Sequence, residues 1–165
     1  MLNVFRSFLT ITLLICSTAC ASSSSSEDES LIAHRFRVKG HDFSSRVEEV
    51  CSNPMVVSLD FSSVKLSNED LEIVFNALVE REKRLAGIPH CTIELIDLRR
   101  GTFDETGFLM FLDHLQHGKK EGGKDIYPDV RETVLKIGLS LNDDFIEQME
   151  KAAPSTFAGG LQIIQ

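Results

Sequence analysis

The sequence carries none of the short patterns that usually bring chemistry to a site. It has no glycine-rich phosphate loop, no Gly-x-Ser-x-Gly turn and no His-Glu-x-x-His pair. Those patterns exist because phosphates need converging backbone N–H groups, a serine nucleophile needs a sharp turn, and zinc needs two histidines on one helical face. Without them the chain is expected to be no enzyme and to need no cofactor. Basic residues are few and scattered: 17 Lys and Arg stand against 25 Asp and Glu, a formal charge of -8, with no basic block. Nucleic acid is therefore not expected as a partner. There is no Trp, and the one Tyr is Tyr127. What is present is an ordinary globular composition, 42% apolar and 25% charged over 165 residues. That suffices for one domain with its own core.

Residues 1–21 read as an address rather than as structure. Arg6 is their only charge, and the apolar run from Phe8 to Ile15 is broken only by Thr10 and Thr12. The run is too short to span a bilayer and small residues follow it, the layout of a secretory signal peptide. Two processing sites are open. Ala19-Cys20-Ala21 fits cleavage after Ala21, which leaves a soluble secreted chain. Ser17-Thr18-Ala19-Cys20 resembles a bacterial lipobox, with Ser17 where Leu is usual. That resemblance implies lipidation of Cys20 and membrane contact through the lipid. Cleavage before Cys20 removes 19 residues, Arg6 among them, and takes the charge from -8 to -9. Anionic headgroups would repel such a protein surface. Ser22 to Ser26, then Glu27, Asp28 and Glu29, bury nothing, so 22–31 reads as a flexible tether. The expectation is a secreted or cell-envelope protein, a bacterial lipoprotein first, with a repeat domain over 32–153 and a C-terminal cap or tail over 154–165.

Of four cysteines, Cys16 and Cys20 belong to the signal and Cys51 and Cys91 to the folded part. In an oxidising compartment the latter two are expected to pair. The bridge would close a loop of about 40 residues, worth roughly 4 kcal/mol on the chain-entropy account. The alternative is two buried thiols that act as small apolar side chains.

The chain repeats itself. Val56-Val57-Ser58-Leu59-Asp60-Phe61 matches Ile93-Glu94-Leu95-Ile96-Asp97-Leu98 at an offset of 37. The same offset carries Leu66, Leu71, Ile73, Val74, Phe75 and Leu78 onto Phe103, Phe108, Met110, Phe111, Leu112 and Leu115. Each unit begins with alternation and then turns to helical spacing, so each is a strand, a turn and a helix. Ser67 or Asn68 and Asp104 stand at N-cap positions. Weaker copies flank the pair. One runs from Phe36-Arg37-Val38 into a helix over Ser44 to Cys51, the other from Leu135-Lys136-Ile137 into a helix ending near Lys151. Four β-α units imply parallel strands joined by right-handed crossovers.

The spacing Val56-x-x-Leu59-x-Phe61-x-x-x-x-Leu66 and the turn Phe103-Asp104-Glu105-Thr106-Gly107-Phe108 resemble a leucine-rich repeat of the ribonuclease-inhibitor type. The resemblance covers about residues 33–150 and is strongest in the two central units. It departs at the ladder position usually held by Asn or Cys, where His41, Val64 and Gly101 stand. It implies an α/β fold, a short solenoid of about four strand-helix units with a parallel sheet. The competing architecture is an open α/β sandwich. One version is STAS-like, which Leu59-Asp60-Phe61-Ser62-Ser63 resembles. The extra length in 79–91 reads as a helix extension stopped by Gly87 and Pro89, and 116–130 as a Gly- and Lys-rich loop.

Strands in register stack equivalent residues about 4.8 Å apart. Leu59, Phe61, Ile96 and Leu98 are expected to point inward. The outward rows would read Arg37, Asp60, Asp97, Lys136, then Lys39, Ser62, Arg99, Gly138, with Arg100 beside them. This charged face is the candidate ligand-binding surface, because solenoids bind on exposed strand faces. The plain alternative is a solvated face whose cations neutralise two stacked carboxylates. Asp60 and Asp97 as a catalytic pair lack any neighbouring nucleophile or metal-ligand spacing. His114 and His117, three apart, have the spacing of metal ligands, but the expected role is a helix end favoured by positive charge, and no metal is expected. Ile73, Val74, Phe75, Met110, Phe111 and Leu112 are assigned to the core, Phe75 and Leu112 at its margins. The tail from Gly159 to Gln165 is expected to cap the last unit as an edge strand, or to offer a strand to a partner. The functional expectation is a noncatalytic module that recognises a protein partner. The alternative is a structural envelope or assembly component without a discrete ligand site.

Overall fold

A computed structural model describes residues 32–88, 91–158 and 160–165. The signal segment, Cys20 and the tether 22–31 lie outside the described residues. The elements alternate as the two periods predict. Strand β1 (Ile32–Arg35) leads to α1 (Phe43–Cys51), β2 (Val56–Asp60) to α2 (Asn68–Leu85), and β3 (Leu95–Leu98) to α3 (Glu105–His117). After a hairpin of β4 (Lys119–Glu121) and β5 (Lys124–Ile126), β6 (Val134–Ile137) leads to α4 (Asp143–Ala152). A short α5 (Pro154–Ala158) and β7 (Gln162–Ile164) end the chain.

The fold is α/β, with one sheet of five strands in the order β1-β2-β3-β6-β7. Every pair in it is parallel. The register continues the sequence repeat: Leu59 faces Ile96, which faces Leu135, which faces Ile163. In β2 and β6 these residues and the next inward row, Phe61 and Ile137, alternate with partly exposed ones, while in β3 Asp97 between Ile96 and Leu98 is buried as well. Leu59, Ile96 and Leu135 are fully buried, and so are Phe61 and Leu98. One face of the sheet is thus covered and the other open. The helices cover it in chain order, α1 packing on α2, α2 on α3 and α3 on α4.

The helices start where polar caps precede an apolar stripe. Asp104 accepts a hydrogen bond from the Gly107 N–H at 2.8 Å, and Asn142 from the Phe145 N–H at 2.8 Å. At the equivalent start of α2, the Asp70 carboxylate accepts from the Ser67 N–H at 2.7 Å and its hydroxyl at 2.9 Å. Each bond occupies an N–H that a helix end otherwise leaves open, or fixes the entry of the chain. The caps of adjacent units also touch: Asn68 donates to Asp104 at 3.2 Å and accepts from the Asp104 N–H at 3.2 Å. Gly107 makes this contact possible, since a Cβ there would stand 2.1 Å from the Asn68 Oδ1.

Several expectations are corrected. The first strand is Ile32–Arg35, starting four residues before the expected Phe36, and its register is shifted by two, so His34 rather than Phe36 aligns with Leu59. Phe36 lies one step past the strand, its N–H donating to the Asp60 carbonyl at 2.8 Å and its ring stacked on Phe61 at 4.3 Å. Aromatic stacking of a matching inward residue sets this register, and a sequence period alone does not sense it. Residues 116–130 are no plain loop: β4 and β5 pair antiparallel through Gly122 and Gly123, with φ of 56° and 81°. Two successive positive φ values are what a two-residue hairpin turn needs, and glycine adopts them without a Cβ clash. The hairpin lies beside α2, where Lys119 donates to Asn76 at 2.7 Å and Lys83 pairs with Glu121. Met110 is 56% exposed, whereas Phe75 and Leu112 are buried. The inward stripe of α3 is Phe108, Phe111, Leu112 and Leu115, which puts Met110 on the opposite side of the helix. Cys51, the last residue of α1, is fully buried as a thiol. Burial pushes that thiol up to about 12, with the Arg81 charge opposing.

The N-terminal end of the strands β2 and β3, opposite the capped helix starts, is organised by a residue the repeat does not announce. Arg81, on α2, is 5% exposed. Its guanidinium donates to the carbonyls of Cys51 at 2.6 Å, Asn53 at 2.9 Å and Val56 at 2.9 Å, and to Cys91 at 2.6 and 3.0 Å. It thereby ties the end of α1, the start of β2 and the approach to β3 onto α2.

Candidate functional site: the open strand face

The open side of the sheet carries two full rows. Ala33, Ser58, Leu95, Val134 and Gln162 align in one, and Arg35, Asp60, Asp97, Lys136 and Ile164 in the next. Asp60, Asp97 and Lys136 fall in one row as expected. Arg37 does not; the two-residue shift of β1 puts Arg35 in its place, and Arg37 is exposed in the loop beyond. Arg35 closes the row with an ion pair to Asp60 at 3.1 Å.

Asp60 and Asp97 do the same work in successive units. Each carboxylate turns back on its own chain two residues ahead: Asp60 accepts from the Ser62 N–H at 2.8 Å, Asp97 from the Arg99 N–H at 3.2 Å. This side-chain turn ends the strand and starts the loop. Arg99 then folds over Asp97, its Nε at 3.0 and 3.1 Å and its Nη2 at 2.7 Å from the carboxylate. Asp97 is consequently 4% exposed, a correction to the solvated position expected for it. Burial raises the Asp97 carboxyl, but the Arg99 side-chain and backbone bonds and the Arg99 and Lys136 charges outweigh it and hold the group below the ordinary range. The Arg99 guanidinium is raised by the same pairing. Each carboxylate therefore has its own guanidinium and its own turn, the same arrangement in two successive units.

The other candidates fall elsewhere. Ser62 is half-buried and Arg100 exposed in the loops that follow β2 and β3. Lys136 is half-buried in the row. His114 lies against Phe75, ring centroids 5.2 Å apart, whereas the His117 Nδ1 turns to the Asp113 carbonyl at 3.0 Å and its carboxylate at 3.1 Å. The two rings thus face different neighbours. No group of three or more His, Cys, Asp or Glu side chains placed to hold a metal occurs among the described residues. A shallow groove of about 180 Å³ between α2 and α3 includes Glu69, Glu72, Met110 and His114. The sequence reading missed Arg35 and Arg81. Arg35 was hidden by the two-residue shift, and Arg81 is one charged residue in a helix of many. Compared with protein-family models, curated proteins and solved structures, the chain matches none.

Proposed function

We propose that the protein is a noncatalytic recognition module, secreted or tethered at a cell envelope, that binds a protein partner through the open face of its parallel sheet. The architecture that goes with this reading is a short leucine-rich-repeat-like solenoid of four strand-helix units, with 154–165 as its C-terminal cap. The observation that supports it is the continuous in-register row Arg35, Asp60, Asp97 and Lys136, which leaves a polar face opposite the helices. No helix among the described residues is long and apolar enough to cross a membrane. A lipid on Cys20 would supply the anchor, and 22–31 the reach.

A photo-crosslinker at Ser58 in the native host tests the reading. One partner band should form, disappear in an Arg100→Glu/Lys136→Glu variant and survive Lys151→Glu on α4. A band indifferent to the face substitutions, or no band, refutes it. A constitutive complex of fixed stoichiometry would instead identify an assembly component.

A further inference from the structure

We infer that the occupant of this face is an acidic, extended protein segment, its carboxylates meeting Arg37, Arg100 and Lys136 and its aliphatic side chains lying over Leu95 and Val134. The inference rests on the strand-face reading above and adds the chemistry of the partner.

Charge is the first argument. The five strands and the two residues that follow each of them hold five cations, Arg35, Arg37, Arg99, Arg100 and Lys136, and two anions, Asp60 and Asp97, while farther along the loops Lys39 and Lys65 stand against Asp42 and Asp104. Both anions are already engaged, Asp60 by Arg35 and Ser62 and Asp97 by Arg99. Arg37 and Arg100 make no hydrogen bond or ion pair among the described residues. Lys136 touches this network only through the Asp97 charge. The surplus is positive on a chain whose formal charge is -8. An acidic ligand is therefore repelled from most of the molecule and drawn to this one face, where a basic ligand would find many competing sites.

Shape is the second argument. Leu95 and Val134 are half-buried partners on adjacent strands, flanked by the short side chains of Ala33 and Ser58. They give a low apolar strip beside the charged row. Five strands about 4.8 Å apart span roughly 19 Å, the length of about six extended residues. Aliphatic side chains on the strip, with carboxylates reaching the unpaired cations, fit a peptide better than a nucleic acid, whose phosphates would leave the strip uncovered.

The test is fluorescence anisotropy with two labelled 12-residue peptides, Glu-Val-Glu-Ser repeated three times and the same sequence with Lys for Glu. The Glu peptide should bind saturably, at least tenfold more tightly than the Lys peptide, and weaken as salt is raised. Arg100→Glu/Lys136→Glu should weaken it at least tenfold, and Lys151→Glu should leave it unchanged, with circular dichroism showing all variants folded. No binding of the Glu peptide, equal binding of the Lys peptide, equal competition by a 12-nucleotide single strand, or indifference to the face substitutions overturns the inference. If the Glu peptide fails while crosslinking from Ser58 still depends on the face, only the acidic occupant falls. If neither responds to the face substitutions, the strand-face reading falls with it.

Discussion

Arg81→Met is the substitution expected to cost this fold most per atom removed. Met keeps most of the apolar stem and deletes the guanidinium, so packing changes little and the polar contacts vanish. All five N–H groups of Arg81 are used, and they serve four carbonyls, of Cys51, Asn53, Val56 and Cys91. A buried acceptor left unsatisfied costs about 1–3 kcal/mol, so four would cost several times that. Two terms reduce the sum. Removing a buried charge recovers part of its desolvation cost. A cavity of about 70 Å³ beside Arg81, lined by Leu78, Leu85, Cys91 and Ile93, is large enough for water to reach the Cys91 carbonyl. With both terms the expected loss is about 3–5 kcal/mol, a large part of the 5–15 kcal/mol that holds a domain of this size. Arg81→Lys keeps the charge but offers three donors without the planar fork, and should recover less than half of the loss. The assay is urea unfolding followed by far-ultraviolet circular dichroism, since the chain has no Trp to report. Arg81→Met within about 0.5 kcal/mol of the parent, the scatter of an ordinary surface change, would refute the argument. So would full stability in Arg81→Lys.

Gly107→Ala should destabilise by about 1 kcal/mol, the worth of a hydrogen bond, because its Cβ displaces Asn68 from Asp104. In an Asn68→Ala background the same change should cost nothing or stabilise the helix, and a thermal-melt cycle of the four proteins decides it. Asp97→Asn should flatten the acid limb of stability against pH. A carboxyl held below its unfolded value contributes above about pH 3.9 and loses that contribution as pH falls through the folded value; an unchanged acid limb would contradict the Arg99 pairing. Cys51, buried and raised to about 12, should resist alkylation at pH 8 until the protein unfolds. Intact mass from the native host should show an acylated chain beginning at Cys20, and a chain beginning at Ser22 would replace the lipid anchor with plain secretion.

The strand-helix alternation, the two central units and their offset were legible in the sequence, whereas the hairpin of β4 and β5 was not. A strand with one buried face and a helix with one buried stripe must each show their period, so Leu59, Phe61, Ile96 and Leu98 announced the core. The caps at Ser67 and Asp104 were legible for the same reason: they act within three or four residues of the chain. Tertiary structure decided what depends on contacts between distant segments. The register of β1 followed from Phe36 stacking on Phe61, and so put Arg35, not Arg37, beside Asp60. Asp97 was buried by the guanidinium of Arg99, although alternation alone placed it in solvent. Arg81 became the tie at the N-terminal end of β2 and β3 because four carbonyls from three segments converge on it. Local periodicity reflects which side of an element is dry, whereas register and polar pairing depend on which other segment arrives there.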